Sequence, residues 1–281
     1  MDYTVRDLTT HADFRAVFAL ELEVWQLPNG DDAVPAILLA VGVTHGAILV
    51  GAFDAAGRLV AFAYSFPALA GGRLIQWSHM LGVAEGHRGS GLGRRLKLEQ
   101  RARAIGQGID VIAWTFDPLQ AGNAAFNLQV LGAEAGEYVE DVYGASDSPL
   151  HAGAPTDRLV AEWRLTTDKV RAAAGEIAGR LPGPPARGPV HQVHHVTRDG
   201  PWLLPVGEPD LSPSPDVMGI RVPPAFTEML RERPDVARAW RAATRQSFSA
   251  AFARGYRAVG FERDAVMGGG YYVLRRGNPK A

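Results

Sequence analysis

Over residues 1–166 the apolar positions keep changing period. "YTVRDL" (3–8) alternates, as a half-buried strand does, and then Phe14, Val17, Phe18, Val24 and Trp25 fall on one helical face. Thr10 is placed to cap that helix. "AILVGAFD" (47–54) and "RLVAFAYSF" (58–66) read as strands joined by a turn at Asp54-Ala55-Ala56-Gly57. "LIQWSHMLGV" (74–83) is a third strand, running straight into "EGHRGSGLGRRL" (85–96). Leu92, Leu96, Ala102 and Ile105 then mark a helix ending near Gly106 and Gly108. "DVIAWTF" (110–116) is nearly continuous apolar chain, as in a strand buried on both faces of a parallel sheet, and Pro118 stops it. A shorter helix through "NAAFNLQVLGA" (123–133) and strands near 137–143 and 159–165 follow. Strand, loop, helix and strand make a right-handed parallel crossover, which places the glycine loop at the carboxyl edge of the sheet, where open α/β folds bind ligands.

From residue 167 the pattern changes. A helix through "DKVRAAAGEIAGRL" (168–181) leads into "PGPPARGP" (182–189), a stiff connector. Beyond the loop-rich "PVGEPDLSPSPD" (205–216) come a strand at 217–222 and a helix with Val236, Trp240, Ala243, Phe248 and Phe252 on one face. Gly255 is placed to cap it, and "YRAVGF" and "YYVLRR", separated by Gly268-Gly269-Gly270, close as a hairpin. The expected organisation is an α/β domain over 1–166, its mixed central sheet flanked by helices, and a smaller α+β domain over 167–281. The second could be a degenerate copy of the first that lacks the glycine loop. Its apolar stripe is expected to lie on the first domain, whose sheet is complete by residue 166.

Composition removes several function classes. A net charge of −1 gives no overall field toward nucleic acid or an anionic membrane. The absence of cysteine excludes disulfides, thiolate metal sites and a cysteine nucleophile, and fits a reducing cytoplasm. The apolar run Val34–Val43 is too short to span a bilayer, and the N-terminus lacks a signal-peptide layout. A soluble cytoplasmic protein follows as the expectation. In "HQVHHV" (191–196), His191 and His195 share a strand face, but no carboxylate has ligand spacing nearby, so no metal is expected. Arg238, Arg241 and Arg245 share a face of the late helix that reads as solvated surface, or as a contact for an anion.

Three phosphate-binding readings compete for Gly89, Gly91 and Gly93. A P-loop fails, because Leu92 and Gly93 stand where lysine and a hydroxyl residue belong after Gly91. A dinucleotide fingerprint, and with it a Rossmann-like NAD(P)-dependent oxidoreductase, fits Gly89 and Gly91, with the third glycine one residue early and Asp117 late for the acidic position. The third reading fits best. Successive backbone N–H groups at a helix N-terminus form a positive nest, suited to a pyrophosphate. Arg94, Arg95 and Lys97 add charge there.

Arg88-Gly89-Ser90-Gly91-Leu92-Gly93 resembles the R-G-x-G-hydrophobic-[GA] segment of the GNAT superfamily of acyl-CoA N-acyltransferases. The likeness extends over residues 1–166 in element order, and "WTFDPLQAGNAAFN" (114–127) and "PTDR" (155–158) resemble a branch of that superfamily whose acceptor the likeness does not name. It implies a coenzyme A site on the loop through Arg94, pantetheine pairing with the backbone of Leu81 and Val83, and a fifth strand, "DVIAWTF", splaying from the fourth. Asn123 would bind the pantetheine arm. It implies transfer of acetyl from acetyl-CoA to an amine, with no nucleic acid or membrane partner.

Such a transfer needs a base for the ammonium proton, donors for the oxyanion, and often an acid for the thiolate. His79, in a strand "HMLGV" similar to the H-x-L-x-V strand of a family member, is the base candidate, and a core histidine is the competing reading. The family's usual acid, a tyrosine four residues before the glycine matching Gly132, is here Leu128. Tyr138 or Tyr143 could stand in, with Tyr143 preferred. Asp117 could pair a cationic acceptor or merely start a turn. Glu21 and Trp25 lie on the first helix, which in the family borders the acceptor site, and Asp157-Arg158 reads as an ion pair. The departure at Leu128 keeps open a non-catalytic acyl-CoA-binding module. The sequence leaves the acceptor and the oligomeric state, monomer or homodimer, open.

Overall fold

The computed structural model describes residues 2–144, 155–178, 190–212 and 215–277. The chain divides into two compact units, Met1–Trp114 with Arg164–Thr166, and Thr115–Trp163 with Thr167–Ala281. The division therefore does not fall after residue 166.

The first unit holds strands β1 (Thr4–Asp7), β2 (Ile48–Phe53), β3 (Leu59–Ala70) and β4 (Arg73–Val83) and the start of β5 (Val111–Phe116), in that spatial order. β1 to β4 form an antiparallel meander, and β4 to β5 is a parallel pair. The Asp54–Gly57 turn closes as expected: Asp54 Oδ1 accepts from the N–H groups of Ala56 and Arg58. Helix α1 (His11–Trp25) starts in a reciprocal capping box between Thr10 and Asp13. α2 (Ala36–Thr44), apolar all round, gives no helical stripe to read and was absent from the sequence pattern. Only its Leu39 is buried, while Ile37, Leu38 and Val41 are exposed. α3 (Leu92–Gly106) crosses between β4 and β5. Adjacent residues on β3 sort the faces: Tyr64 turns its hydroxyl to Gly42 of α2, so Ser65 and its cross-strand partner Ser78 face the α3 side. A dinucleotide-binding fold needs successive parallel crossovers; among the described residues this unit has one parallel pair.

In the second unit the strand order is β7 (Arg158–Arg164), β6 (Glu134–Val139), β12 (Tyr256–Arg263), β13 (Gly270–Arg276), β11 (Val217–Val222), β8 (His191–Gln192). β9 (His195–Asp199) and β10 (Trp202–Val206) form a separate ribbon. His191 and His195 thus sit in different sheets rather than on one strand face: Val193 still donates its N–H to Gly219 O beside β11, and the chain then bends at Val193 and His194 into the ribbon. Among the described residues no group of three potential ligands could hold a metal. α4 (Ala121–Ala125) continues as a π-turn over Phe126–Val130, and α5 (Asp168–Ala174) stops at Gly175, in the left-handed region. The expected continuation of α5 through 179–181 and the proline-rich connector lie outside the described residues. α6 (Phe226–Glu232) precedes the long α7 (Pro234–Ala253).

Residues on both sides of 166 build this unit together. Phe248 of α7 stacks on Tyr138 of β6 at 5.9 Å and meets Tyr272 of β13 edge-on at 5.0 Å. Tyr272 donates its hydroxyl to Pro118 O, and Ala258 of β12 pairs with Ala135 of β6. Arg241 meets both oxygens of Asp117 at 2.8 Å, and Arg245 meets both of Asp157 at 2.8 and 2.9 Å. The expected solvated arginine face is thus half turned inward; Arg238 stays exposed beside a cavity of about 460 Å³ that Glu140 also lines.

Replacing Arg241 by Ala leaves Asp117, 14% exposed, with Arg158 at 3.9 Å in place of a two-nitrogen partner, so the variant is expected to lose about 3 kcal/mol in urea unfolding. Adding Asp117→Asn, which keeps an oxygen for Leu119 N–H, should restore part of that loss. Equal destabilisation of single and double variants would show that the pair does not hold this unit. A chain ending at Asp168 should fail to give a folded far-ultraviolet spectrum, since it loses the β6 partner strand and the Asp117 and Asp157 counter-ions together.

Candidate active site

The glycine loop lies wholly in the first unit. A single 3-10 turn (Glu85–His87) carries the chain off β4, and Gly89 and Gly91 take φ of +75° and +84°, where side chains are strained. No atom lies within 4 Å of where a Cβ on either glycine would be. Gly91 is the N-cap of α3, in the left-handed region, and as a glycine it offers the helix no capping side chain. These amides carry the positive end of the helix dipole. Ser90 Oγ donates to His87 O at 2.6 Å and Arg88 Nε to Val83 O at 3.3 Å, which tie the loop to the end of its strand. Arg88, Gly89, Ser90 and Gly91 are exposed, Gly93 and Arg94 half-buried, and Leu92 anchors the first turn in the core at 3% exposure. Arg95 donates to Tyr3 O at 2.9 Å. The loop is thus an open turn at a helix N-terminus, with space in front of both glycines.

His79 lies on β4 at a register shift. Tyr64 pairs with Met80 and Ser65 with Ser78, so His79 is the extra residue of a β-bulge. A bulge re-aims its side chain, and the ring stands exposed, tilted against Phe66 at 6.0 Å. Neighbouring protein nevertheless desolvates it and lowers its pKa below the ordinary 6.5, so the ring is neutral at pH 7 and able to take a proton. It is not a buried core histidine. Leu81 and Val83, half-buried, pair with Ala63 and Ala61 of β3. Within the first unit the β4–β5 ladder has two rungs, Gln76 with Ile112 and Trp77 with Ala113, and stops there.

Lys97 is not at the loop. It is 3% exposed on the inner face of α3, where Nζ donates to Ser78 Oγ and Gln100 Oε1 at 2.9 Å and lies 3.9 Å from the centroid of the Trp114 ring. Burial pushes its ammonium down to about 7. Leu92, Leu96, Gln100, Arg101 and Ala104 share the buried stripe. Leu92 and Leu96 alone do not place Lys97 on this stripe; it joins through Gln100, Arg101 and Ala104, whose polar and small side chains give no apolar signal.

Glu21 of α1 is 1% exposed; its Oε2 accepts from Val34 N–H at 2.8 Å, and its buried Oε1 has no hydrogen-bond partner. Burial raises its carboxyl to about 7. Trp25 meets Phe62 edge-on at 5.9 Å, a packing contact.

The second unit holds the remaining candidates. Asp117 accepts from Leu119 N–H at 2.9 Å in a turn and is engaged by Arg241, with Arg158 at 3.9 Å. Its charge is answered within the fold. Asp157 pairs with Arg245, not with the neighbouring Arg158 guanidinium, and accepts the Tyr138 hydroxyl at 2.7 Å. Burial, and then this bond to Asp157, raise the Tyr138 pKa, so that phenol is a poor acid. Tyr143 is half exposed, its hydroxyl 3.2 Å from Thr115 Oγ1 and the Arg158 guanidinium 5.2 Å from its ring centroid. Asn123 is exposed on α4, and Leu128 is buried in the π-turn that follows.

No family model and no curated protein matches the chain. Solved structures do. In fold, the chain is similar to acetyltransferases of the GNAT family. The ribosomal-protein-S18-alanine N-acetyltransferase of Escherichia coli aligns with 59% of this chain and 96% of its own, at 17% identity and a TM-score of 0.46. A GNAT superfamily phosphinothricin acetyltransferase from Sinorhizobium meliloti, solved with AcCoA, aligns over 58% and 88%, at 19% identity and 0.48. PaiA N-acetyltransferase from Thermoplasma acidophilum, solved with coenzyme A, aligns over 58% and 99%, at 14% and 0.43. No helix among the described residues is long and apolar enough to cross a membrane.

The raised Glu21 pKa has a consequence for stability. The unfolded chain ionises this carboxyl near 4.5 and the folded chain only near 7, so folding stability falls as pH rises through that window and stays lowered above it. Glu21→Gln should therefore gain on the wild type between about pH 5 and about pH 8 in urea unfolding. A difference between the two proteins that does not change with pH would place Glu21 in contact with solvent.

Proposed function

We propose that this chain is an acetyltransferase that binds acetyl-CoA on the glycine loop and α3 and passes its acetyl group to an amine. The observation that carries the proposal is the uncapped N-terminus of α3, entered through two left-handed glycines with open space before them. The backbone amides from Gly89 to Arg94 would hold the pyrophosphate, with Arg88 and Arg94 adding charge, and the backbone of Leu81 and Val83 would pair with the pantetheine arm. His79 accepts the proton of the acceptor ammonium, and the free amine attacks the thioester directly. Asn123 remains a proposed contact for pantetheine and Tyr143 a proposed donor. Asp117 is proposed as a positioning residue for its turn, because Arg241 already answers its charge. Leu128, 1% exposed, removes the usual hydroxyl acid and favours a second reading, an acyl-CoA-binding module without turnover.

Calorimetry with acetyl-CoA tests the first part. Gly91→Asp puts a carboxylate at the mouth of the helix amides, with room for it but at a cost of about 1 kcal/mol in backbone strain. It should weaken acetyl-CoA binding at least tenfold and leave the fold intact, whereas undiminished affinity in the folded variant removes the site from the loop. Binding of NADH in place of acetyl-CoA would restore the dinucleotide reading. His79→Ala should lower amine-dependent thiol release roughly 10²–10⁴-fold with acetyl-CoA affinity unchanged. Tight acetyl-CoA binding with no thiol release across primary amines would select the binding module.

A further inference from the structure

The two-rung ladder between β4 and β5 ends where Lys97 begins. The next residues along, Ser78 and Trp114, both meet the ammonium, through a 2.9 Å hydrogen bond and over an indole ring at 3.9 Å. Ser78 directly precedes the bulged His79, so two titratable side chains, one from inside the sheet and one exposed, converge on consecutive residues of one strand. The surroundings of Lys97 are polar yet incompletely satisfied. Ser65 Oγ, across the strand from Ser78, and Gln100 Nε2, beside the ammonium, are buried without a hydrogen-bond partner. A polar guest is therefore expected at this place.

We propose that Lys97 is the proton source for the departing thiolate, acting through the Ser78 hydroxyl. The inference rests on the acetyl-CoA reading given above. As the amine nitrogen bonds to the thioester carbon and the carbon–sulfur bond breaks, sulfur keeps the electron pair. It takes the Ser78 hydroxyl proton, and Lys97 replaces that proton on Ser78. The proton shed by the acylated nitrogen returns to neutral Lys97 through solvent, and His79 releases the earlier ammonium proton to solvent. The net change is an ammonium and a thioester to an amide, a thiol and one proton. Lys97 supplies the acid that Leu128 cannot.

The charged and titratable groups around Lys97 are few. On α3, Arg94 and Arg101 lie one turn to either side, and Arg101 is bound to Leu165 O. β4 brings His79 and β3 brings Tyr64, on the opposite face; β2 and β5 bring no ionisable residue. Burial alone sets the lowered lysine pKa, which leaves its proton transferable near neutrality.

Titrating the thiol of bound coenzyme A by its ultraviolet thiolate absorbance reads this contact without any acceptor. In the wild type the bound thiol should ionise below free coenzyme A. Lys97→Met, a volume-conserving change, should raise that midpoint by about one pH unit or more. Ser78→Ala should move it the same way, and it provides the reading should Lys97→Met fail to fold. Lys97→Arg, which keeps the charge, should leave the midpoint low. An unmoved midpoint in Lys97→Met or Ser78→Ala protein that still binds acetyl-CoA overturns the role of Lys97 and leaves the acetyl-CoA reading standing. Wild-type protein that binds neither acetyl-CoA nor coenzyme A overturns both.

Discussion

A parallel strand pair cannot be closed by a hairpin, so the chain must leave β4, cross the sheet and return to start β5. Everything proposed for the first unit follows from that crossover. It sends the chain into α3 at the carboxyl end of β4, so the helix N-terminus, with no capping side chain at Gly91, follows on the strand that carries His79. The turn into α3 takes left-handed backbone angles that glycine adopts without strain, and Gly89 and Gly91 stand there at positive φ. The same crossover lays α3 over the sheet with Lys97 at Ser78 and Trp114, just past the last rung. One topological requirement thus supplies a helix N-terminus behind a glycine turn, an exposed imidazole and a buried ammonium around one strand end.

The second unit depends on charge answered within the fold. Asp117 and Asp157 follow or precede strands in positions where a sequence reader looks for chemistry, and each is met by two nitrogens of one α7 arginine. Buried pairs of this kind are weak sources of net stability but costly to break on one side. They make α7 part of the unit that holds β6 and β7, and residue 166 ceases to be a boundary.

What the sequence revealed, and what it concealed, has physical causes. The strands up to β5, the capped first helix, the glycine loop and the terminal hairpin each carry a local signal: an alternation, a capping side chain, or a backbone angle that glycine alone takes easily. The α2 helix does not, because a helix apolar on every side has no period to detect. The bulge at His79 was hidden because one extra residue alters the pairing of a strand without altering its composition. Lys97 was read as charge at the loop, and Arg241 and Arg245 as solvated surface or an anion contact, although Lys97 and Arg241 lie on the buried stripes of their helices. Side-chain charge outweighed helical position in that reading, and tertiary partners reversed it.

Hydrogen exchange of the backbone amides from Gly89 to Arg94, with and without acetyl-CoA, tests the central claim most directly. Gly91 offers the helix no capping side chain, so these amides should exchange readily in the free protein, then slow markedly when acetyl-CoA is added while the amides of α7 stay unchanged. Exchange at Gly89–Arg94 that ignores saturating acetyl-CoA would contradict the account.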